Sequence, residues 1–386
     1  MLSMENEAVQ LFKNNARQTV KIKVIPSFGE SFNLTQADIL SGGFRLSRAS
    51  VSGETIELGS VIASELSLSI DNYDGRFSEK SFEGARLAVT VGIADETKSY
   101  KSNFGYYNVD EVSKGKTSIS VSALDDMVKF DKEVTENFFN DSENEEYNII
   151  DEKLNKICID SNTFLVWKYY SSNKTVSELV KSICHVCGVR LKSDLSKLPN
   201  YNYEIVSVPI AEGLTYRQFL SWCCQIMGVC AFIDLTGELV LKWYSNSGVT
   251  INPSDRYDSA LAENTVTVNK LKIQINDTLY ESGNGDYGID LSGNALVQTN
   301  PQLMINNLYK AIGGFSYVPF TAVTIPHPQL EPLDKVYFVK DNKTYSTIIT
   351  NWEFTLNSST AISGKGATET KKKYSEMSAF TPAQGF

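Results

Sequence analysis

The stretch ASELSLSIDNYDGRF, residues 63–77, decides how the rest of the chain is read. Its DNYDG portion has the look of an acidic, glycine-turned calcium loop. A helix-loop-helix site of that kind needs oxygen ligands at alternate positions, a glycine in sixth place and a glutamate in twelfth. With Gly75 in sixth place, Ile70 is first and Ser81 twelfth, so both ligands are missing. Before the loop, Leu66, Leu68 and Ile70 alternate with Glu65, Ser67 and Ser69, which predicts a half-buried strand. Asp74-Gly75 then reads as the turn that ends it, because aspartate tolerates and glycine favours positive φ.

Outward from that strand the same pattern recurs. QTVKIKVIP, ARLAVTVGI, FGYYNVDEV and KTSISVSALD alternate or are rich in β-branched and aromatic residues, so residues 1–140 read as an antiparallel β domain. Residues 141–254 change character. In TVSELVKSICHVCG, Thr175 is an N-cap with Glu178 three residues on, Val176, Leu179, Val180, Ile183 and Cys187 form an apolar face, and Gly188 stops the helix. Forty residues later TYRQFLSWCCQIMG repeats the grammar, with Thr215, Gln218, Cys224 and Gly228 in the matching places. A strand is expected after each helix, and Asp234-Leu235-Thr236-Gly237 reads as a hairpin turn, giving a small α/β domain of two helix-strand units. Residues 255–370 return to strands around one helix, NPQLMINNLYKAIGG, capped by Asn300, with Pro301 in its first turn and Gly313 as stop. Residues 371–386 lack periodicity and read as a loosely held tail. The expected fold class is β-rich α+β, two antiparallel β domains flanking an inserted small α/β domain.

Composition bounds the partners. The 386 residues suffice for roughly two to four domains, and 42% hydrophobic residues supply packed cores. Acidic residues outnumber basic ones 46 to 36, and the only basic cluster is in ETKKKYS, which argues against duplex nucleic acid as the main partner. No run of eighteen apolar residues occurs and MLSMENEAVQLFKNNARQ lacks a signal-peptide layout, so membrane insertion is not expected and synthesis in a cytoplasm is. Cys158, Cys184, Cys187, Cys223, Cys224 and Cys230 crowd into apolar segments of the middle third, which reads as reduced, buried thiols.

Cys184-His185-Val186-Cys187, with Cys223-Cys224, has enough ligands for zinc, but inside a helix the two thiols of the first group share the apolar face while His185 points aside. The pair also lies at the wrong end of its helix for a redox thiolate. The other histidine, His327, sits between prolines in IPHPQ, and GxSxG and HExxH are absent. Asp125-Asp126 and the run Asp141, Glu143, Glu145 and Glu146 read as solvated faces, and the glycines of ESGNGDYG, residues 281–288, as a mobile connection. Tyr106, Tyr107, Trp167, Tyr169, Tyr170, Tyr201 and Tyr203 suit packing and interfaces better than stacking on sugars or bases. No catalytic, cofactor-binding or metal residue is assigned.

Three segments carry a family resemblance. DILSGGFRLSRASVSGETIELGSVIASELSLSIDNYDGRFS contains a G-x-x-x-A-S-E-L element at residues 59–66; FGYYNVDEVSKGKTSISVSALDDMVKFDK supplies the following hairpin; LEPLDKVYFVKDNKTYSTIITNWEFTLNSSTAISGKG has a Pro-x-Asp turn at Pro332 and Asp334 before a closing hairpin. Their order resembles the central hub proteins of phage and prophage tail baseplates and tail tips, including the hub region of Gram-positive prophage tail-associated (endopeptidase-tail) proteins. The resemblance implies tube-like β domains, a homotrimer whose six similar domains form a ring, and a junction between hexameric tail tube and threefold tip. It implies contact with the tail tube protein, the distal tail protein, the C-terminus of the tape-measure protein and a spike, fibre or lysin component below. DNA would meet the chain only in transit through the channel. A chain ending at Phe386 is expected to act as a connector without the wall-digesting region of longer relatives. The competing readings are a tail-associated peptidoglycan hydrolase and a carbohydrate-binding adhesin.

Overall fold

The computed structural model describes residues 4–14, 16–135, 151–158, 164–210, 213–285, 287–366 and 374–376, with backbone alone for 151–171, 173, 210 and 374–376. After helix α1 (Asn6–Lys13), strands β1 (Arg17–Ile25), β2 (Phe32–Thr35), β3 (Ile39–Ala49), β4 (Glu65–Asp71), β5 (Arg86–Ala94), β6 (Ser99–Lys114) and β7 (Ser118–Leu124) follow. The middle holds β8 (Asp151–Cys158), β9 (Phe164–Thr175), helix α2 (Val176–Cys187), β10 (Glu204–Ile210), helix α3 (Tyr216–Met227), β11 (Cys230–Ile233), β12 (Leu239–Lys242) and β13 (Ser245–Ile251). Then come β14 (Arg256–Leu261), β15 (Val266–Thr267), β16 (Lys270–Ile275), β17 (Thr278–Gly283), β18 (Gly288–Asp290), helix α4 (Pro301–Ile312), β19 (Ser316–Tyr317) and β20 (Phe320–Thr324). The last strands are β21 (Asp334–Lys340), β22 (Lys343–Ile348), β23 (Asn351–Thr355), β24 (Thr360–Gly364) and β25 (Tyr374–Glu376).

The opening strand behaves as its alternation predicts. Leu66, Leu68 and Ile70 are buried, Gly75 takes φ +76°, and the Asp71 and Asp74 carboxylates accept from the backbone N–H groups of Tyr73 and Arg76. The acids of DNYDG therefore brace their own turn.

One antiparallel sheet of eleven strands, ordered β14-β20-β24-β23-β3-β4-β7-β6-β5-β1-β2, runs through both β regions. They meet where β23 pairs with β3, Asn351 opposite Ala49 through Thr355 opposite Arg45. Ser50 N–H to Thr350 O and Leu356 N–H to Phe44 O extend the ladder at both ends. Two cores result. Phe44, Leu68, Phe104, Phe320, Phe338, Trp352 and Phe354 join both β regions in one, while Met304, Ile305 and Leu308 of α4 pack with α2 and α3 in the other. Division at residue 254 follows chain order, whereas packing assigns β15 through α4 to the helical core.

In the middle, both helix ends form as their residues demand. Thr175 and Thr215 accept from the N–H groups of Glu178 and Gln218, and Gly188 and Gly228 close the helices in the left-handed region at φ +65° and +68°. The strand expected after α2 is reduced to a single parallel bridge, Leu191 to Leu239, because the chain makes only one β-type crossing of β12 before turning away. β11 and β12 form the expected hairpin. Helix α4 starts without a side-chain cap, for Asn300 itself lies at φ +43°, and Gly313 leaves the helix in extended geometry with Gly314 taking φ +77°. Glycines 283 and 285 are packed closely: a Cβ on Gly283 would lie 2.3 Å from Asn269 O and from the Tyr309 ring, and one on Gly285 would lie 2.3 Å from Asn269. Within the expected tail, β25 pairs in parallel with β18.

Candidate functional site

The polar groups that set the relative placement of the β regions gather under the β3–β23 seam. Arg48 of β3 lies opposite Trp352 of β23, with its guanidinium carbon 5.7 Å from the indole ring centre. The guanidinium also meets the Glu331 carboxylate at 3.3 Å, both side chains being more than nine-tenths buried. Burial opposes the charge on Glu331, but the positive charges around it, Arg48 foremost, outweigh the burial and hold the carboxyl below its ordinary range. Breaking such a pair leaves a buried charge without compensation, which costs far more than the pair itself contributes.

Glu331 belongs to residues 326–334, a loop with three prolines that is buried throughout. A buried loop is tolerated only if its backbone is paired. Here His327 N–H reaches Thr360 Oγ1 (2.9 Å), Glu331 N–H reaches Asp334 Oδ2 (3.0 Å), and Leu333 N–H reaches Ile349 O (2.9 Å). Leu333 is held at φ +71°, a conformation a leucine adopts only when its surroundings impose it. His327 is fully buried: Gln329 Nε2 lies 3.1 Å from its Nδ1, and the Trp352 indole N–H donates to its carbonyl. Burial lowers its pKa to about 4, so the ring is neutral and closed to solvent. As a general base it has neither charge range nor access.

A second set of contacts ties the first β region to the middle. Gly59 N–H donates to Val229 O and Ala231 N–H to Ser60 O, each at 2.8 Å, so the G-x-x-x-A-S-E-L segment is stitched beside α3. Asp125 and Asp126, expected on a solvated face, are 4% and 3% exposed. Asp125 accepts from Ser64 N–H (2.9 Å) and Met127 N–H (3.0 Å), capping the turn from Asp126 to Asp131. Burial pushes its pKa up. Asp126 takes a bidentate grip from Arg86 at 2.8 and 2.7 Å, which with Asn108 and Lys129 overcomes its burial and lowers its pKa. Local charge density looked like solvent exposure because key partners lie far back in the chain, Ser64 61 residues before Asp125 and Arg86 40 residues before Asp126.

The chemistry sought elsewhere meets closed surroundings. Cys184, Cys187, Cys223, Cys224 and Cys230 are free and buried. Desolvation raises every one of their pKa values, to about 12 for Cys184 and Cys230 and about 11 for Cys187, so the thiols stay protonated and unreactive. His185 lies on the exposed side of α2, away from them. Among the described residues no group of three His, Cys, Asp or Glu side chains is placed to share a metal ion. Tyr107 is buried and donates to Phe104 O (2.8 Å), and burial raises its pKa to about 12. Tyr203 is fixed against Thr299 O (2.6 Å), Tyr106 lies under Arg86, and Tyr201 is exposed. Asp141, Glu143, Glu145 and Glu146, and the side chains of Cys158, Trp167, Tyr169 and Tyr170, lie outside the described residues. Sequence reasoning missed Arg48, Glu331 and Trp352 altogether. Their only local signal is the Pro-x-Asp turn, which says nothing of a partner 283 residues away.

No family model and no curated protein matches the sequence. Among solved structures, the prophage MuSo2 43 kDa tail protein from Shewanella oneidensis matches at TM-score 0.52 and 12% identity, over 91% of this chain and 99% of that one. Looser likenesses run to an E. coli component of the type VI secretion system (TM-score 0.42, 10% identity, 86% of this chain and 74% of that one). A chain of the phage P2 baseplate in its activated conformation matches at TM-score 0.28 and 10% identity, over 91% of this chain and all of that one. A seam of two β regions beside a helical core, matched along nearly the whole of both molecules, gives this chain the fold of the MuSo2 prophage tail protein.

Proposed function

We propose that the protein is a structural component of a phage, prophage or phage-like tail, the central hub of its baseplate or tail tip. Three copies form a ring of six similar β units that joins a hexameric tube above to a threefold tip below. The observation that carries this reading is the continuous β3–β23 seam, which makes two β regions one rigid piece within a chain of tail-protein fold. Rigidity suits a part that transmits geometry and turns nothing over.

Its partners on this reading are further copies of itself, the tail tube and distal tail proteins, the tape-measure C-terminus and a spike, fibre or lysin component. Its place is the tail tip. The net charge of −10 suits a channel that lets DNA pass without holding phosphate. Light scattering after size exclusion, followed by negative-stain imaging, tests the reading. A threefold ring with six lobes and a central opening supports it. A chain that stays monomeric with tube and distal tail proteins added sinks it, and a cleared band in cell-wall zymography moves the protein to the hydrolases.

A further inference from the structure

Eight strands of the large sheet, β14-β20-β24-β23-β3-β4-β7-β6, form a run in which every neighbouring pair is antiparallel. Among the described residues, β14 at one end and the last part of β6 at the other lack a partner strand on their outer side. At one end β14 has β20 on one side only, and its residues 257–260 are all exposed, Tyr257 by 64%. Ala262 N–H bonds back to Pro319 O, so by the alternation of an antiparallel ladder Ser259 and Leu261 turn their N–H and C=O groups to the open side.

At the other end β6 is longer than the strand beside it. β5 pairs with Ser99 through Asn108 and stops, while β6 continues to Lys114 along β7. Gly115 N–H bonds to Ser118 O across β7, so Val112 and Lys114 direct theirs to the side that β5 has left. There the neighbouring loop touches β6 through Val109 N–H to Ala85 O and the Lys114 ammonium to Lys80 O. Each edge is five or six residues long.

Direction decides how these edges fit. Along an all-antiparallel run, strands an odd number of steps apart point oppositely, so β14 and β6, seven steps apart, are antiparallel. A rotation about a ring axis preserves that relation. β2, the last strand of the sheet, is ten steps from β14 and therefore parallel to it. Antiparallel pairing is the more stable and matches every other junction in the sheet. On the ring reading above, we propose that copies of this chain join edge to edge, β14 of one adding antiparallel to residues 110–114 of β6 in the next. The contact between copies then repeats the main-chain chemistry of the β3–β23 seam within one copy, and closure leaves neither edge exposed.

The test uses the intact chain. Ser259→Pro removes an outward donor without touching a bond to β20, a position where an edge strand accepts proline. Wild type is expected to sediment as a trimer, and Ser259→Pro to associate roughly tenfold or more weakly at an unchanged melting temperature. In a second arm, the double variant Ser259→Cys/Lys114→Cys, whose side chains share a face of the joined sheet, treated with a short bismaleimide should give covalent dimers and trimers, whereas either single variant stays monomeric on a denaturing gel. This arm decides should the proline variant fold poorly. Trimers of undiminished affinity in Ser259→Pro, or a double variant that cross-links no more than the singles, overturn the edge pairing while leaving the ring reading intact. A wild type that never associates overturns both.

Discussion

Helices α2 and α3 obey the same local rules and live in different places. Each is twelve residues long, opens on a threonine N-cap and closes on a left-handed glycine. Yet α2 buries six residues along one face, while α3 buries ten and shows almost nothing to solvent. Matched positions make the contrast plain: Lys181 and His185 of α2 are exposed, and their counterparts Ser221 and Gln225 of α3 are buried. α2 rests on the protein; α3 is enclosed by it, with the residue 56–60 segment on one side and α4 on another. A repeated grammar thus specifies a helix and its ends, whereas the surroundings decide which sides it must bury.

The contrast breaks most completely at Gly59. A Cβ there would lie 2.5 Å from both Ser221 O and Gln225 Cγ of α3, and the residue sits at φ +78°. Gly59→Val combines a backbone collision with a conformation β-branched residues avoid, at a cost on the order of 4 kcal/mol. The expected outcome is insoluble protein or a melting transition near room temperature, where Gly188→Val, with open space at its Cβ, leaves a folded chain. Equal tolerance at both glycines would mean that α3 is not enclosed.

A milder version uses one substitution at matched positions. Ile226 of α3 is fully buried and Val186 of α2 is 36% exposed. Ile226→Ala should cost about 3 kcal/mol through lost burial and the cavity left behind, and Val186→Ala within about 0.5 kcal/mol of nothing. Urea midpoints of the two variants measure the difference directly.

The interiors differ in acid as well. The helical core buries thiols that are neutral throughout the acid range, whereas the sheet seam buries His327. Its folded pKa of about 4 lies below the 6.5 of an unperturbed imidazole, so the unfolded chain takes up a proton first. Its contribution is intact above pH 6.5 and is lost as pH falls through 4, amounting to about 3 kcal/mol over the full interval. Melting temperatures from pH 7 to 4 should fall steeply for wild type and less for His327→Gln. Parallel curves would place the acid sensitivity elsewhere.

What the sequence made legible follows from distance along the chain. Caps, turns and alternation act within a few residues, so Thr175, Gly188 and the Leu66-Leu68-Ile70 face were readable, as was the β-rich α+β class. Arg45 and Thr355 face each other across the β3–β23 seam with nothing nearby in sequence to announce it. Asp126 read as solvated because its partner Arg86 is 40 residues away, and His327 read as a loop residue because prolines mark loops whether or not a fold closes over them. The glycines at 283 and 285 signal room for the backbone, and only Tyr309 and Asn269 show that the room is filled. Sequence order therefore predicted the parts, and only the fold shows the long-range pairing that joins them.

The smallest effect isolates what the repeat itself encodes. Thr175 Oγ1 accepts from Glu178 N–H while Glu178 Oε2 accepts from Thr175 N–H at 2.8 Å, a reciprocal box; at α3 Thr215 caps Gln218 N–H, with no capping box formed. Thr175→Ala and Thr215→Ala should each cost about 1 kcal/mol, the loss of one cap. Glu178→Ala should then cost a further fraction that Gln218→Ala does not, because only the glutamate satisfies a helix-end donor. Equal costs for the two threonines with unequal costs for their first-turn partners would show that the cap belongs to the shared grammar and the box to α2 alone. If Gln218→Ala proved the costlier, the enclosure of α3, which packs the polar side of that helix against the protein, would be acting through a residue the local rules treat as spare.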